Sequence, residues 1–234
     1  MPDPTTAPTT DPAAADPALA ARILLETEAV LCRPDAPFTF TSGRLSPVYV
    51  DVRRLIAFPR ARRRLMAMAE DRLARACGTE AFDVVAGGET AGIPYAAFLA
   101  ERLGLPMCYI RKKPKGFGRD ARIEGALKPG QRVLLVEDLA TDGGSKLSFV
   151  EGLREAGARV EHCFVVFHYG IFPQSVESLE KAGVALHALA TWHDVIAEID
   201  RAGAFTPDQI DDIRAFLIDP DDWSAKRGGT ATRG

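Results

Sequence analysis

Arg132-Val133-Leu134-Leu135-Val136-Glu137-Asp138-Leu139-Ala140-Thr141-Asp142-Gly143-Gly144-Ser145-Lys146 is an apolar run that ends in two adjacent carboxylates and a short Thr/Asp/Gly/Gly/Ser turn. The run from Val133 to Val136 has no polar alternation, so it reads as a strand buried on both faces. Leu147, Val150 and Leu153 then recur at helical spacing. The turn therefore opens a helix, whose first backbone N–H groups have no partner within it. With the positive end of the helix they make a site for phosphate. The glycines let a ligand approach the backbone closely.

Carboxylates beside a phosphate cradle repel the anion they adjoin, so they need another task. An ionised carboxylate only accepts hydrogen bonds, and a vicinal diol offers two donors near a phosphate on the same sugar. Glu137 and Asp138 are expected to hold the 2′ and 3′ hydroxyls of a ribose while residues 140–145 hold its 5′-phosphate. Taken alone, two acids at the mouth of an ordinary strand-to-helix turn would look the same; the whole string is more particular.

Working outward, residues 82–86 read as a strand, 93–103 as a helix and 107–110 as a strand. A long polar loop is expected over 112–125, a helix over 145–156, a strand over 160–167, a helix over 173–182 and a strand over 184–189. This rhythm predicts an α/β fold, a parallel sheet flanked by helices. Upstream, Asp16-Pro17 starts a helix expected to run to Cys32. The segments 38–40 and 48–52 alternate like the arms of a β-hairpin, so helix and hairpin together make a small hood. A helix is expected from Pro59 to Ala76, whose Arg60, Arg62, Arg63 and Arg64 read as a solvated face. Two helices, starting near Thr191 and Thr206, close the chain; the second start is a capping box with Pro at its first position. The expected organisation is a disordered tail over 1–16, one domain over 17–223 (hood 17–58, core 59–223), and a loose tail over 224–234.

The chain has 234 residues, 47% hydrophobic and 26% charged, enough for one domain with a real core. A net charge of −3 gives no global reason to expect nucleic acid or an anionic membrane as partner. Cys32, Cys77, Cys108 and Cys163 are dispersed, without a C-x-x-C, and read as reduced thiols of a cytoplasmic protein. His162, His168, His187 and His193 share no ligand spacing, so no protein metal site is expected. No apolar run has membrane-spanning length, and the N-terminus reads as lacking a secretory signal. The signature strings of P-loop, Rossmann, zincin and α/β-hydrolase sites do not occur.

Ligands of open parallel sheets bind beyond the carboxyl ends of the strands. Besides the 137–145 turn, two loops are expected there. Gly87-Gly88-Glu89-Thr90-Ala91-Gly92 could present backbone donors to a second anion, though alone it is a plain Gly-rich turn. Arg111, Lys112, Lys113 and Lys115 put four cations within five residues, before Gly116-Phe117-Gly118, in the manner of a mobile lid. Such cations suit a leaving pyrophosphate, whose charge grows as its bond to carbon breaks. Together the loops suggest glycosyl transfer from a ribose bearing a 5′-phosphate and a 1-pyrophosphate. Mg²⁺ fits that chemistry, held mainly by substrate phosphates and water, which needs no protein metal motif.

The string Glu137 to Ser145 resembles the phosphoribosyl-pyrophosphate motif of type I phosphoribosyltransferases. Phe40-Thr41-Ser42-Gly43-Arg44-Leu45-Ser46-Pro47-Val48-Tyr49, Thr90-Ala91-Gly92-Ile93-Pro94 and Arg111-Lys112-Lys113-Pro114-Lys115-Gly116 resemble, over residues 20–200, the hood, pyrophosphate loop and catalytic loop of the orotate phosphoribosyltransferases. The resemblance implies transfer of phosphoribosyl to orotate, giving orotidine 5′-monophosphate in pyrimidine biosynthesis. It implies catalytic roles for Lys115, Asp138 and Lys112. It implies binding of phosphoribosyl pyrophosphate by Arg111, Lys112, Lys115, Glu137, Asp138, Leu139, Ala140, Thr141, Asp142, Gly143, Gly144 and Ser145. Glu89, Thr90 and Ala91 would form the pyrophosphate loop, and Thr141, Tyr49 and Ser42 would meet the base. Mg²⁺ and a homodimer, with Lys115 reaching into the neighbour's site, are implied as well. Transfer to another base, or a non-catalytic regulator that senses the diphosphate, are the alternatives. The sequence departs from the family pattern at four places. Asp142 stands in the cradle, Phe117 stands where the loop commonly has His, and Thr41 where many members have Lys. His168-Tyr169-Gly170-Ile171 replaces a segment whose Arg meets the orotate carboxylate. Arg44, Arg53 and Lys146 are the candidate replacements.

Overall fold

The computed structural model describes residues 16–40, 42–113, 122–141, 144–171 and 173–230. Its centre is a six-stranded sheet in the order β10-β9-β8-β5-β6-β7, made of β5 (Val84–Gly88), β6 (Met107–Ile110), β7 (Ile123–Gly125), β8 (Arg132–Ala140), β9 (Arg159–His168) and β10 (Ala185–Thr191). All neighbours pair in parallel except β6 with β7. Residues 123–125, expected within a loop, form that antiparallel edge strand.

β8 is longer than its apolar run and carries Glu137 and Asp138 within the ladder. Leu134 and Val136 join the core on one face of the sheet; Val133 and Leu135 join the core on the other. Burial on both faces is what an unbroken apolar strand requires. The first core lies under α1 (Pro17–Glu26), α2 (Pro59–Cys77), α3 (Gly92–Leu103), α6 (Trp192–Ala202) and α7 (Pro207–Ile218). The second lies under α4 (Gly144–Glu155) and α5 (Pro173–Lys181). Strand order reverses between β5 and β8, so the loops after these two strands open side by side at one edge.

The hood differs from expectation. α1 stops at Glu26: Thr27 turns its hydroxyl back onto Ile23 O at 2.6 Å, and Glu28 adopts φ 54°. Residues Val30–Cys32 become β1 instead of helix and pair with β4 (Val48–Val50). β2 (Phe38–Thr39) pairs with β3 (Leu45–Ser46), so the expected hairpin is split between two partners. The break falls at Pro47, which has no N–H for a ladder, and the Ser46 hydroxyl donates to Val48 O at 2.6 Å across it.

The C-terminal segment is also a correction. The segment from Ser224, expected as a loose tail, is instead ordered through its described residues: a third helix, α8 (Pro220–Lys226), runs into it. Ser224 is fully buried; its hydroxyl accepts from Leu45 N at 3.0 Å and donates to Thr230 O at 2.9 Å. Thr230 N donates to Gly43 O at 3.0 Å. These bonds dock the segment on the hood turn, a long-range pairing that short polar residues do not announce.

Candidate active site

β5 and β8 deliver their loops to a cleft of about 560 Å³. It is lined by Glu89, Thr90 and Ala91 after β5, by Glu137, Asp138 and Leu139 at the end of β8, by Ser145 at the start of α4, and by Lys112 after β6. Its remaining wall is the hood segment Val50, Asp51, Val52, Arg53 and Ile56, with Pro94 of α3. A 3-10 helix, Val52–Ala57, shapes that wall, and the buried Tyr95 hydroxyl fixes it by donating to Val52 O at 2.6 Å.

Glu137 is 7% exposed, and Lys146, at 4%, lies beneath it with Nζ 3.9 Å from Oε2. The other oxygen, Oε1, is buried without a hydrogen-bond partner among the described residues. Burial pushes the Glu137 carboxyl up to about 7; Lys146 opposes this and Asp138 adds to it. Burial likewise raises Asp138, against the pull of Lys146 and Arg53. A buried carboxylate with unused acceptor capacity fits a ligand that brings donors. Room for it comes from two glycines. A Cβ at Gly88 would overlap Glu137 Oε1 and lie 2.7 Å from Phe149 Cε2, and one at Gly92 would overlap Val136 O.

Glu89 ties two loops together: its N–H donates to Ile110 O at 2.9 Å, and its Oε2 accepts from Lys112 N at 2.8 Å. The Glu89–Thr90 peptide bond is cis.

Residues 55–171 match the family model for the phosphoribosyl transferase domain. An orotate phosphoribosyltransferase from Cereibacter sphaeroides is 58% identical over 209 residues, covering 89% of this chain and 90% of that protein. The one from Ruegeria sp. is 56% identical over 205 residues, covering 88% and 91%. The chain belongs to the orotate phosphoribosyltransferases. Among solved structures of this family, that from Aeropyrum pernix has a TM-score of 0.64 at 33% identity, covering 80% of this chain and 99% of that one. Leishmania donovani UMP synthase gives 0.69 at 30%, covering 86% of this chain; the chain spans only 42% of that protein's length.

Of the residues that membership of this family draws attention to, Lys112, Glu137, Asp138, Leu139, Ser145, Glu89, Thr90 and Ala91 meet in the cleft. Lys115, Phe117, Asp142, Gly143 and Thr41 lie outside the described residues. Gly144 is the first residue of α4. The Ala140 side chain is buried, and its carbonyl accepts from Tyr169 N at 2.9 Å. Thr141 follows, half-buried. Arg111 is not among the lining residues; its guanidinium donates to Glu124 at 3.2 Å. Tyr49 packs against Phe38 and Phe40, with ring centroids 5.5 and 6.2 Å away, and exposed Ser42 sits on the hood turn; neither lines the cleft.

Of the three candidate cations, Arg44 is paired with Asp221, Lys146 is buried under Glu137, and Arg53 lines the cleft, 3.1 Å from Asp51. Asp51 and Ile56 were not foreseen as lining residues; the signal available was their position directly after the last hood strand.

Cys77, His162 and His187, for which sequence spacing gave no metal site, come together elsewhere, at the far end of the sheet.

Proposed function

We propose that this protein transfers the phosphoribosyl group of 5-phosphoribosyl 1-pyrophosphate to orotate, forming orotidine 5′-monophosphate and pyrophosphate in pyrimidine biosynthesis. The observation that carries this reading is the buried Glu137, whose Oε1 has no hydrogen-bond partner among the described residues, beside Asp138 and set between the loop after β5 and the start of α4. That is where a ribose lies if its phosphate meets the helix start and its pyrophosphate meets Glu89–Ala91 and Lys112. Support also comes from a solved orotate phosphoribosyltransferase of Mycobacterium tuberculosis in complex with 5-phospho-α-D-ribosyl 1-diphosphate, 26% identical with a TM-score of 0.60.

In this reading the C1–oxygen bond to pyrophosphate breaks as the bond from C1 to orotate nitrogen forms. Glu137 and Asp138 hold the ring hydroxyls, and Lys112 and Lys115 neutralise the departing pyrophosphate. Arg53 meets the carboxylate of orotate from the hood side. Asp138 offers the hard oxygen donor that suits Mg²⁺, and among the described residues no three carboxylates of the cleft come close enough together to ligate one ion. Mg²⁺ would therefore take most of its ligands from phosphate oxygens and water, and would supply charge neutralisation. The protein works as a cytoplasmic homodimer in which Lys115 serves the neighbouring site. Among the described residues no helix is long and apolar enough to cross a membrane.

The test is loss of orotate absorbance on incubation with Mg²⁺ and phosphoribosyl pyrophosphate. Turnover that requires all components is expected. Tight binding of the diphosphate without consumption of orotate, or turnover only with another base, would overturn the assignment.

A further inference from the structure

Cys77 is the last residue of α2, His162 lies early in β9 and His187 early in β10. The ladder pairs His162 with Ala185, so His187, two residues further on, projects from the same face of the sheet. α2 crosses that face and brings its C-terminus over both histidines. Gly78, at φ 92°, then turns the chain away. All three side chains are partly buried.

Their donor atoms form a closed triangle. Cys77 Sγ is 3.6 Å from His162 Nδ1 and 3.7 Å from His187 Nε2, and the two nitrogens are 3.1 Å apart. Tetrahedral zinc with its usual Zn–S and Zn–N bond lengths has edges of about 3.6 Å from sulfur to nitrogen and about 3.3 Å between nitrogens. Hydrogen bonding alone serves this triangle poorly. An imidazole nitrogen carries one proton or one in-plane lone pair, so it cannot satisfy two neighbours at once. A cation at the centre uses all three lone pairs together.

The surroundings agree. Phe82 stands edge-on to His162 with centroids 5.5 Å apart, an apolar wall for the site. One thiolate and two imidazoles suit zinc and its neighbours in the transition series, and do not suit magnesium.

We propose that Cys77, His162 and His187 bind one Zn²⁺ per chain, with water in the fourth position. The ion staples the end of α2 to β9 and β10. It lies at the amino-terminal half of these strands, opposite the catalytic edge, so its role is structural and separate from phosphoribosyl transfer.

The experiment uses the full-length, untagged protein, stripped of metal and titrated with Co²⁺ and then Zn²⁺. Co²⁺ is expected to bind at one equivalent with a thiolate charge-transfer band and intense tetrahedral visible bands, which Zn²⁺ then displaces. Zn²⁺, but not Mg²⁺, should raise the melting temperature of the metal-free protein. Cys77→Ser and His187→Ala should each abolish the charge-transfer band and weaken Zn²⁺ binding by at least about 100-fold, beyond the usual effect of losing a supporting contact. Cys32→Ser should leave the band intact. A wild-type Co²⁺ spectrum without a thiolate band, or Zn²⁺ binding unchanged by Cys77→Ser, would overturn the proposal. The wild-type spectrum decides the matter even if a variant fails to fold.

Discussion

Glu137 is under opposing demands. Burial raises its carboxyl to about 7 in the free protein, whereas gripping ribose hydroxyls needs the ionised, acceptor-only form. A folded-state pKa above the unfolded value means that Glu137 stabilises the fold fully below the ordinary carboxylate range. That contribution is lost as pH rises through about 7. Two outcomes follow for Glu137→Gln at about pH 8, where the wild-type group is ionised. The ligand-free variant should melt above the wild type, and its KM for phosphoribosyl pyrophosphate should rise by about 10- to 100-fold, the worth of a hydrogen bond to a charged group. The KM of the wild type should fall as pH rises through about 7, and that of the variant should be flat over the same window; calorimetry and pH-resolved kinetics measure both. Arg53 makes a separate case. If it meets the orotate carboxylate, Arg53→Ala should raise KM for orotate by about tenfold or more while KM for the diphosphate stays unchanged. At this scale the carboxylate pair was legible because two acids ending a buried strand have no structural task. Asp51 and Ile56 were not, because an acid and an aliphatic residue after a hood strand look like ordinary surface and core.

The 3-10 helix Val52–Ala57 walls the hood side of the cleft, where the proposed base site lies, and a buried hydrogen bond from Tyr95 to Val52 O holds it to α3. Tyr95→Phe removes this buried hydrogen bond, a loss of about 0.5 to 1.5 kcal/mol in denaturant unfolding. Because Arg53 and Ile56 ride on this helix, the same change should raise KM for orotate more than KM for phosphoribosyl pyrophosphate; equal changes would mean that the helix does not position the base. The reading of elements succeeded where burial dictates pattern. β8 and β9 are near-continuous apolar runs, and the capping box at Thr206 marks the start of α7 where it was expected. It failed in the hood, where strands of two or three residues carry too little pattern to choose a partner and Pro47 redirects the ladder. It failed also at α8, which packs Trp223 edge-on against Phe216 of the preceding helix and is anchored through Ser224 to Leu45, 179 residues away in the chain.

The whole molecule has two ends with different work. The carboxyl ends of β5 and β8 open into the cleft, while the amino-terminal halves of β9 and β10 hold the Cys77–His162–His187 triangle. The sheet and its ligand edge were legible because alternating apolar strands and helices leave few topologies; the triangle was not, because its members are 85 and 25 residues apart along the chain. The chain leaves β6 after Ile110 and returns as β7, the edge strand of the sheet. Lys112 reaches the chain's own cleft from there. The proposed homodimer, in which Lys115 serves the neighbouring site, has a decisive test. Lys115→Ala and Asp138→Asn should each be nearly inactive alone. If Lys115 acts in the neighbour's site, a heterodimer of the two carries both lesions in one site and none in the other. Random exchange makes half of the dimers mixed, so the mixture should recover about a quarter of wild-type turnover. If Lys115 serves its own chain, every site in the mixture keeps one lesion and mixing restores nothing. Mixing under conditions that block subunit exchange should also restore nothing, which separates repair by assembly from residual activity of either variant.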